Sequence, residues 1–315
     1  MPKAPEVTVI IPNYNGKRLL ENCIRTLERQ TMTDFTLLVV DNGSTDGSTQ
    51  VTSALPDFRM IALPENTGFC GAVNEGIRRT ETPYVLLLNN DTEAEPEFVE
   101  ALLAGIKRSE RIFSCSAMMI DYRDRTVIDN AGDYYTALGW AVTRGKDMRS
   151  ELFEARTSIF SACAGAAVYR KRLFDERHFA YLEDVDIGYR ARIFGYENCY
   201  IPQAKVFHVG SATTGTRYNE KKVFLAARNS IYLIYKNMPF LQLLFNLPLL
   251  LAGICIKLLF FAGKGLAGEY ARGIAAGIRG ARGLKRVSFC MAHFGNYVKI
   301  QFDLWINIIR VAFLK

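Results

Sequence analysis

Residues 181–190 read YLEDVDIGYR, which crowds Glu183, Asp184 and Asp186 into four positions just ahead of an amphipathic stretch over 187–194. Carboxylates in a first helical turn complement the positive end of the helix dipole by about 0.3–1 kcal/mol each, and Asp184 is of a type that caps helices. The same acids are also suited to proton chemistry, and position alone leaves both readings open. Three other clusters carry amide, hydroxyl and carboxylate groups of the kind that bind ligands: Pro12-Asn13-Tyr14-Asn15-Gly16, Asp41-Asn42-Gly43-Ser44 and Asn89-Asn90-Asp91-Thr92.

Each of these clusters closes a strand-like run. Residues 7–11 are mostly β-branched and stop at Pro12; 35–40 stop at Asp41; 60–63 form a third run closed by Pro64; 84–88 are continuously apolar. Helical spacing fills the gaps at 18–30, with Leu19, Leu20, Cys23, Ile24 and Leu27 on one face, and at 68–79. Pro96 opens a further helix over 97–107. Continuous apolar strands alternating with helices predict an α/β fold whose sheet is parallel and covered on both faces. Ligands of such sheets bind beyond the carboxyl ends of the strands, so the three clusters are predicted to share one edge. No G-x-x-x-x-G-K-[ST] loop occurs and no G-x-G-x-x-G follows a strand, which disfavours P-loop and dinucleotide chemistry. Further on, 115–120 reads as a strand, 134–144 as an extended or hairpin stretch, and 145–157 as a mobile polar loop. The small residues of 161–167 suit a close backbone approach, ahead of β-like 168–170.

The net charge of +7 is divided unevenly. Positions 221–315 hold 14 lysines and arginines against Glu269 and Asp303, leaving 25 basic and 30 acidic residues in 1–220. Two regions are therefore predicted, a body over 1–220 and a basic, apolar, helical, membrane-associating region over 221–315. Such asymmetry suits a polyanionic partner. The apolar run FLQLLFNLPLLLAGICIKLLFFAG at 240–263 favours a membrane surface over nucleic acid, although Lys257 would be costly in the middle of a span. The stretch 264–286 reads as a basic interfacial helix, and 289–315 repeats the style with aromatic residues. The prediction is two to four helices on, or dipping into, a membrane surface; a soluble helical cap or a homodimer interface is the alternative. Seven dispersed cysteines without a C-x-x-C pair predict a reduced, cytoplasmic compartment, and the N-terminus lacks a signal-peptide pattern.

In chain order the sequence contains VTVIIPNYNG, LLVVDNGSTDGS, ENTGFCGAVNEGI, YVLLLNNDT, ACAGAAVYRK, YLEDVDIGYRARIFGY and VFHVGSATTG. Together, over about residues 6–237, these resemble the family 2 glycosyltransferases, inverting enzymes of the GT-A fold, and among them the bacterial rhamnosyltransferase-like branch.

The resemblance implies a GT-A catalytic domain over 1–220 with a Rossmann-like, mostly parallel sheet. It implies that Asp41 accepts a hydrogen bond from a pyrimidine ring, that Pro12, Asn13 and Asn15 line the base and ribose pocket, and that Asn66, Gly68, Phe69 and Asn74 belong to a loop folded over the nucleotide. Asn89, Asn90 and Asp91 stand at the family's D-x-D motif, with Asp91 as metal ligand and His208 completing the site. Asn89 in place of the first aspartate removes one charge. Oxygen and imidazole ligands with phosphate oxygens suit Mn²⁺ or Mg²⁺, which assists departure of the diphosphate.

By the same resemblance Asp184 is the general base that takes the acceptor's proton, Glu183 orients acceptor or donor sugar, Asp186 supports the loop, and Arg190 is the counter-ion that limits the base's pKa. Arg228-Asn229 lies where the branch contacts donor diphosphate or acceptor lipid. The implied reaction moves a sugar, L-rhamnose from a dTDP carrier, to a polyprenyl-diphosphate-linked or growing cell-envelope glycan at the inner face of the cell membrane. UDP-linked galactose, galactofuranose or N-acetylglucosamine, a non-catalytic nucleotide-sugar-binding scaffold, and a nucleotidyltransferase are the alternatives. A homodimer is left open and nucleic acid is not an expected partner.

Overall fold

The computed structural model describes residues 4–172, 176–210 and 218–313, so the SATTG end of the VFHVGSATTG motif lies outside the described residues. In the first half β1 (Val7–Asn13), α1 (Lys17–Leu27), β2 (Thr36–Asp41), β3 (Phe58–Ala62), α2 (Gly68–Arg78) and β4 (Tyr84–Leu88) alternate as the pattern predicts. Strands β3, β2, β1 and β4 are neighbours in that order and parallel. Their runs are continuously apolar because alternate residues enter two cores. Val9, Ile11 and Val39 pack with Leu20, Ile24 and Leu27 of α1 on one face; Ile10, Leu38 and Val40 pack with Val73 and Ile77 of α2 on the other.

The second half is less regular. It comprises β5 (Thr92–Ala94), α3 (Phe98–Lys107), β6 (Ile112–Asp121), β7 (Ile128–Asn130), β8 (Asp133–Tyr135), β9 (Ala141–Thr143), β10 (Thr157–Ile159), β11 (Ala166–Arg170), α4 (Glu183–Ile193) and β12 (Glu197–His208). The sheet continues from β4 through β11, β6 and β12 to β10. Here β11 is antiparallel to both β4 and β6, and β12 is parallel to β6, so the sheet is mixed. The 134–144 stretch forms most of the β8–β9 hairpin. Residues 145–157 are pinned rather than mobile. Phe153 is buried beneath the Arg144 guanidinium, Lys146 pairs with Asp129 at 2.6 Å, and Thr157 opens β10. A polar composition concealed one anchoring aromatic and one ion pair.

The basic region folds as α5 (Glu220–Asn237), α6 (Phe240–Ala262), α7 (Ala267–Ala281) and α8 (Phe294–Phe313). Helix α7 lays Gly273 and Gly277 against α5, where an added Cβ would meet the Phe224 and Arg228 carbonyl oxygens at 2.5 and 2.8 Å. Helix α6 is inverted relative to a helix of a water-soluble surface. It turns Gln242 and Asn246 inward, into an amide network with Gln301 of α8 and the Tyr189 hydroxyl of α4. Leu241, Leu244, Phe245, Leu251, Leu259 and Phe260 face outward. Its protein contacts run along most of its length, from Gln242, through the hydrogen bond that Trp140 Nε1 donates to the Gly253 carbonyl at 3.1 Å, to Phe261 against Tyr270.

Candidate active site

The carboxyl ends of β1, β2 and β4 converge. Asn13 stands opposite Asp41 in register and its carboxamide donates to Asp41 Oδ2 at 2.9 Å, while Asn90 Nδ2 donates to Asn13 Oδ1 at 2.6 Å. The first three clusters thus share one edge, as the sheet rule requires. Asp41 is 1% exposed, and its second oxygen accepts the Ser44 amide at 2.9 Å. It braces its own turn, with acceptor capacity left on both oxygens. Asn15, left-handed at φ 48°, receives the Thr45 amide on Oδ1 at 2.8 Å. Asn42, not singled out from sequence, organises the next loop: its Oδ1 accepts the Thr67 amide at 2.9 Å and its Nδ2 donates to Asn66 Oδ1 and to the Gly68 carbonyl. Phe69 is half-buried at the start of α2. Asn74 is buried and donates to Glu176 Oε1 at 3.0 Å, tying α2 to the 176–178 turn.

Asp91 and His208 meet directly. His208 ends β12 opposite Thr92 of β5, which sets its Nε2 3.3 Å from Asp91 Oδ1; Nδ1 lies 2.7 Å from Asp129 Oδ2, and Lys146 completes the row. Burial pulls the imidazole down, but hydrogen bonds to Asp129 and Asp91 outweigh it and push its pKa up to about 10. Burial opposes ionisation of Asp129 too, yet His208 and Lys146 hold its carboxyl down at about 2. The pair fits a divalent cation: two ligand atoms about 2.1 Å from an octahedral ion and at right angles stand about 3 Å apart. An imidazole whose far nitrogen is held by a carboxylate is an oriented metal ligand. Asn89 faces Gly165 instead of adding a carboxylate: its backbone N–H donates to the Gly165 carbonyl at 2.8 Å and its side-chain amide packs 3.1 Å from the position of a Gly165 Cβ.

The acidic motif arrives from the other side. Asp184 Oδ2 accepts the Ala164 amide at 3.3 Å and Oδ1 the Val185 amide at 2.8 Å. Residues 164 and 165 therefore form a narrow bridge between the end of β4 and the start of α4, and the run of small residues permits it. Gly188 packs so closely on Ser161 that a Cβ there would meet its side chain at 2.6 Å.

The ligating atoms of Asp184, Asp133 and Cys163 lie within 4.8 Å of one another. Burial raises the Asp184 carboxyl. Burial and then the charge of Asp184 push Asp133 well above the carboxylate range, and the same causes act on Glu183. Burial and the two aspartates keep Cys163 a thiol, a poor cation ligand. Asp133 and Asp129 went unrecognised in the sequence, although Asp129-Asn130-Ala131-Gly132-Asp133 has the composition of the other clusters; the three-residue β7 before it leaves no legible strand pattern.

Two expectations for this region are corrected. Asp186 is fully buried and accepts Lys236 Nζ at 2.8 Å, Asn237 Nδ2 at 2.7 Å and Arg190, so Arg190 serves Asp186 and not Asp184. Arg228 and Asn229 face inward to the 177–181 backbone, where Asn229 Nδ2 donates to the His178, Ala180 and Tyr181 carbonyls. In that turn Phe179, Tyr181 and Leu182 all have positive φ, a strain of order 1–3 kcal/mol each. Gly68, at φ +80°, makes room for it, since a Cβ would meet the Phe179 ring at 2.5 Å.

Burial disfavours ionised Asp186, but Arg190 and Lys236 outweigh it and hold its carboxyl well below the usual range. A depressed carboxylate pKa stabilises the fold above its unfolded value near pH 4, and that stability is lost as pH falls further. Asp186→Ala removes a buried carboxylate that pairs with Lys236 and Arg190 and is expected to cost about 3–5 kcal/mol at pH 7. Urea denaturation at pH 7 and at pH 3 should show the gap narrowing at the lower pH.

Comparison with known proteins supports the fold and gives the family. The family model described as "Glycosyl transferase family 2" matches residues 8–177. The N-acetylglucosaminyl-diphospho-decaprenol L-rhamnosyltransferase of Mycobacterium tuberculosis is 26% identical over 264 residues, covering 70% of this chain and 84% of that protein. Among solved structures, GalNAc-T7 with UDP, GalNAc and Mn²⁺ superposes with a TM-score of 0.58 at 12% identity, over 74% of this chain and 48% of that one, so this chain spans about half of that protein. The mannosyltransferase PcManGT of Pyrobaculum calidifontis, in complex with GDP-Man and Mn²⁺, gives 0.53 at 15% identity over 89% and 88%.

Proposed function

The chain belongs to glycosyl transferase family 2, and from that premise we propose that it is a metal-dependent inverting transferase moving L-rhamnose from dTDP-L-rhamnose to a lipid-linked or growing cell-envelope glycan. The observation that carries the reading is the arrangement of two unlike groups about the Ala164–Gly165 bridge: the Asp91–His208 pair toward β4 and β12, and the buried carboxyl of Asp184 toward α4. Asp41, Asn13 and Asn15 hold the base and ribose, and the loop of Asn66, Gly68 and Phe69 borders them. Asp91 and His208 would hold Mn²⁺ or Mg²⁺, which when bound would supply neutralising charge at the departing diphosphate. Asp184 receives the proton of the acceptor hydroxyl on the opposite face of the sugar, and Glu183, neutral through burial, donates a hydrogen bond to the sugar or acceptor. The donor sugar follows the mycobacterial relative's activity, and so does the polyprenyl-linked acceptor.

The acceptor class is also supported by α6. Among the described residues it is the one helix long and apolar enough to cross a membrane. Yet a helix anchored along its length to the folded body lies in the interface rather than spanning it. Its outward leucines and phenylalanines enter the acyl boundary, while Lys264, Arg272, Arg279, Arg282 and Lys285, all exposed, meet anionic headgroups.

The test is nucleotide release from dTDP-L-rhamnose, UDP-N-acetylglucosamine and UDP-galactose with Mn²⁺ and a polyprenyl-diphosphate-linked acceptor. Turnover of dTDP-L-rhamnose is expected; preference for a UDP-sugar transfers the assignment to that donor, and binding without turnover of any donor favours a scaffold. In parallel, a Leu244→Asp/Phe245→Asp/Leu251→Asp variant, altered only at exposed positions, is expected to lose flotation with anionic vesicles. Flotation equal to wild type would remove α6 from the membrane.

A further inference from the structure

We infer that Asn229 is the positioning residue of the catalytic turn: from α5 it holds residues 178–182 in the strained conformation that sets Asp184 in place. The inference rests on the reading of Asp184 as base. Asn229 is fully buried, and its carboxamide N–H groups are shared among the carbonyls of His178, Ala180 and Tyr181 at 2.9, 2.9 and 2.8 Å. Its Oδ1 accepts Arg228 Nε at 3.0 Å, and Arg228 Nη2 donates to the Arg177 and His178 carbonyls at 2.9 Å each.

Three carbonyls from a four-residue segment converge on one amide because the backbone turns left-handed at Phe179, Tyr181 and Leu182. L side chains visit that region rarely. Nothing in this segment's composition favours it, for it contains no glycine. Asparagine is also a weak choice for the middle of an 18-residue helix; its side chain here serves another segment, not its own helix. Leu182 directly precedes Glu183 and Asp184, so relaxation of the turn moves the first residues of α4. A general base must sit within about 3 Å of its proton, and a displacement of about 1 Å is enough to cost about 100-fold in rate.

Asn229→Asp keeps the shape and removes the donors. It is expected to lower kcat about 100-fold with KM for the donor within about 3-fold, and to accelerate hydrogen exchange at least 10-fold in peptides over 176–186 with peptides over 36–42 and 84–91 unchanged. Arg228→Ala, at a half-exposed position that tolerates truncation, is expected to lower kcat about 3–10-fold and so tests the clamp should Asn229→Asp not fold. Wild-type kcat in Asn229→Asp, or unchanged exchange over 176–186, overturns the inference. If Asp184→Asn keeps wild-type turnover, or the wild type consumes neither dTDP-L-rhamnose nor a UDP-sugar, the reading of the site falls and the catalytic role of Asn229 falls with it; exchange over 176–186 then reports on the clamp alone.

Discussion

Asp184→Asn is expected to lower kcat by about 1,000-fold while leaving donor affinity within a few-fold of wild type. General-base catalysis is worth about 10²–10⁴-fold; asparagine keeps one oxygen, for the shorter bond from the Val185 amide, and gives up the 3.3 Å bond from Ala164, so a thermal melt of the variant separates loss of chemistry from loss of fold. The base acts ionised. Burial raises its pKa, which places the acid limb of the kcat profile above the ordinary aspartate range, with activity lost as pH falls through it. Glu183 gives the contrast. Its Oε2 is buried without a hydrogen-bond partner among the described residues, and its carboxyl is held neutral, so Glu183→Gln replaces a neutral donor by another and is expected to stay within about 5-fold of wild type. Steady-state kinetics of both variants from pH 5 to 9 decide the matter. Wild-type turnover in Asp184→Asn would transfer the role to another group, such as Asp133, whose carboxyl lies within 4.8 Å.

His208→Ala is expected to reduce turnover by at least 100-fold and to abolish Mn²⁺-dependent thermal stabilisation by the nucleotide. Two protein ligands are few, and removing one leaves Asp91 with phosphate oxygens alone. Asp129→Asn tests the supporting shell: loss of the carboxylate that orients Nδ1 at 2.7 Å should weaken Mn²⁺ binding about 10–100-fold, read by calorimetry in the presence of nucleoside diphosphate. A rival reading has an equally clear signature. With its pKa at about 10, His208 is an imidazolium at neutral pH before any cation displaces its proton, and such a charge could itself face the diphosphate. Full activity in EDTA, with loss in His208→Ala, would establish that rival and end the metal assignment.

The residues that were legible from the sequence are those whose position depends on short-range pattern. Asp41, Asn13 and Asp91 follow recognisable apolar strands, and the rule that ligands bind at carboxyl ends was enough to place them on one edge, because continuous apolar runs mark strands buried on both faces and therefore parallel, with their carboxyl ends on the same side. Asp184 and His208 needed the ordered motifs as well. Asp129 and Asp133 escaped, and the roles of Asn42 and Asn229 were not legible, because each acts through partners far along the chain: Asp129 meets His208 79 positions away, and Asn229 meets Tyr181 48 positions away. No local periodicity encodes such pairs.

The sequence by itself determined the alternation of strands and helices, the shared polar edge and the division into an acidic body and a basic, apolar tail, since backbone periodicity and charge are local properties. Only the tertiary structure decided which acids are chemical and which structural. Glu183, Asp184 and Asp186 look alike in a row, yet burial raises the first two while Lys236 and Arg190 hold the third ionised. It also decided that Gln242 and Asn246, which read as interruptions of an apolar helix, are the side of α6 that faces the protein. The physical reason is the same in both cases: the free energy of a polar group depends on the dielectric and the partners around it, and those are supplied by chain segments that meet only on folding.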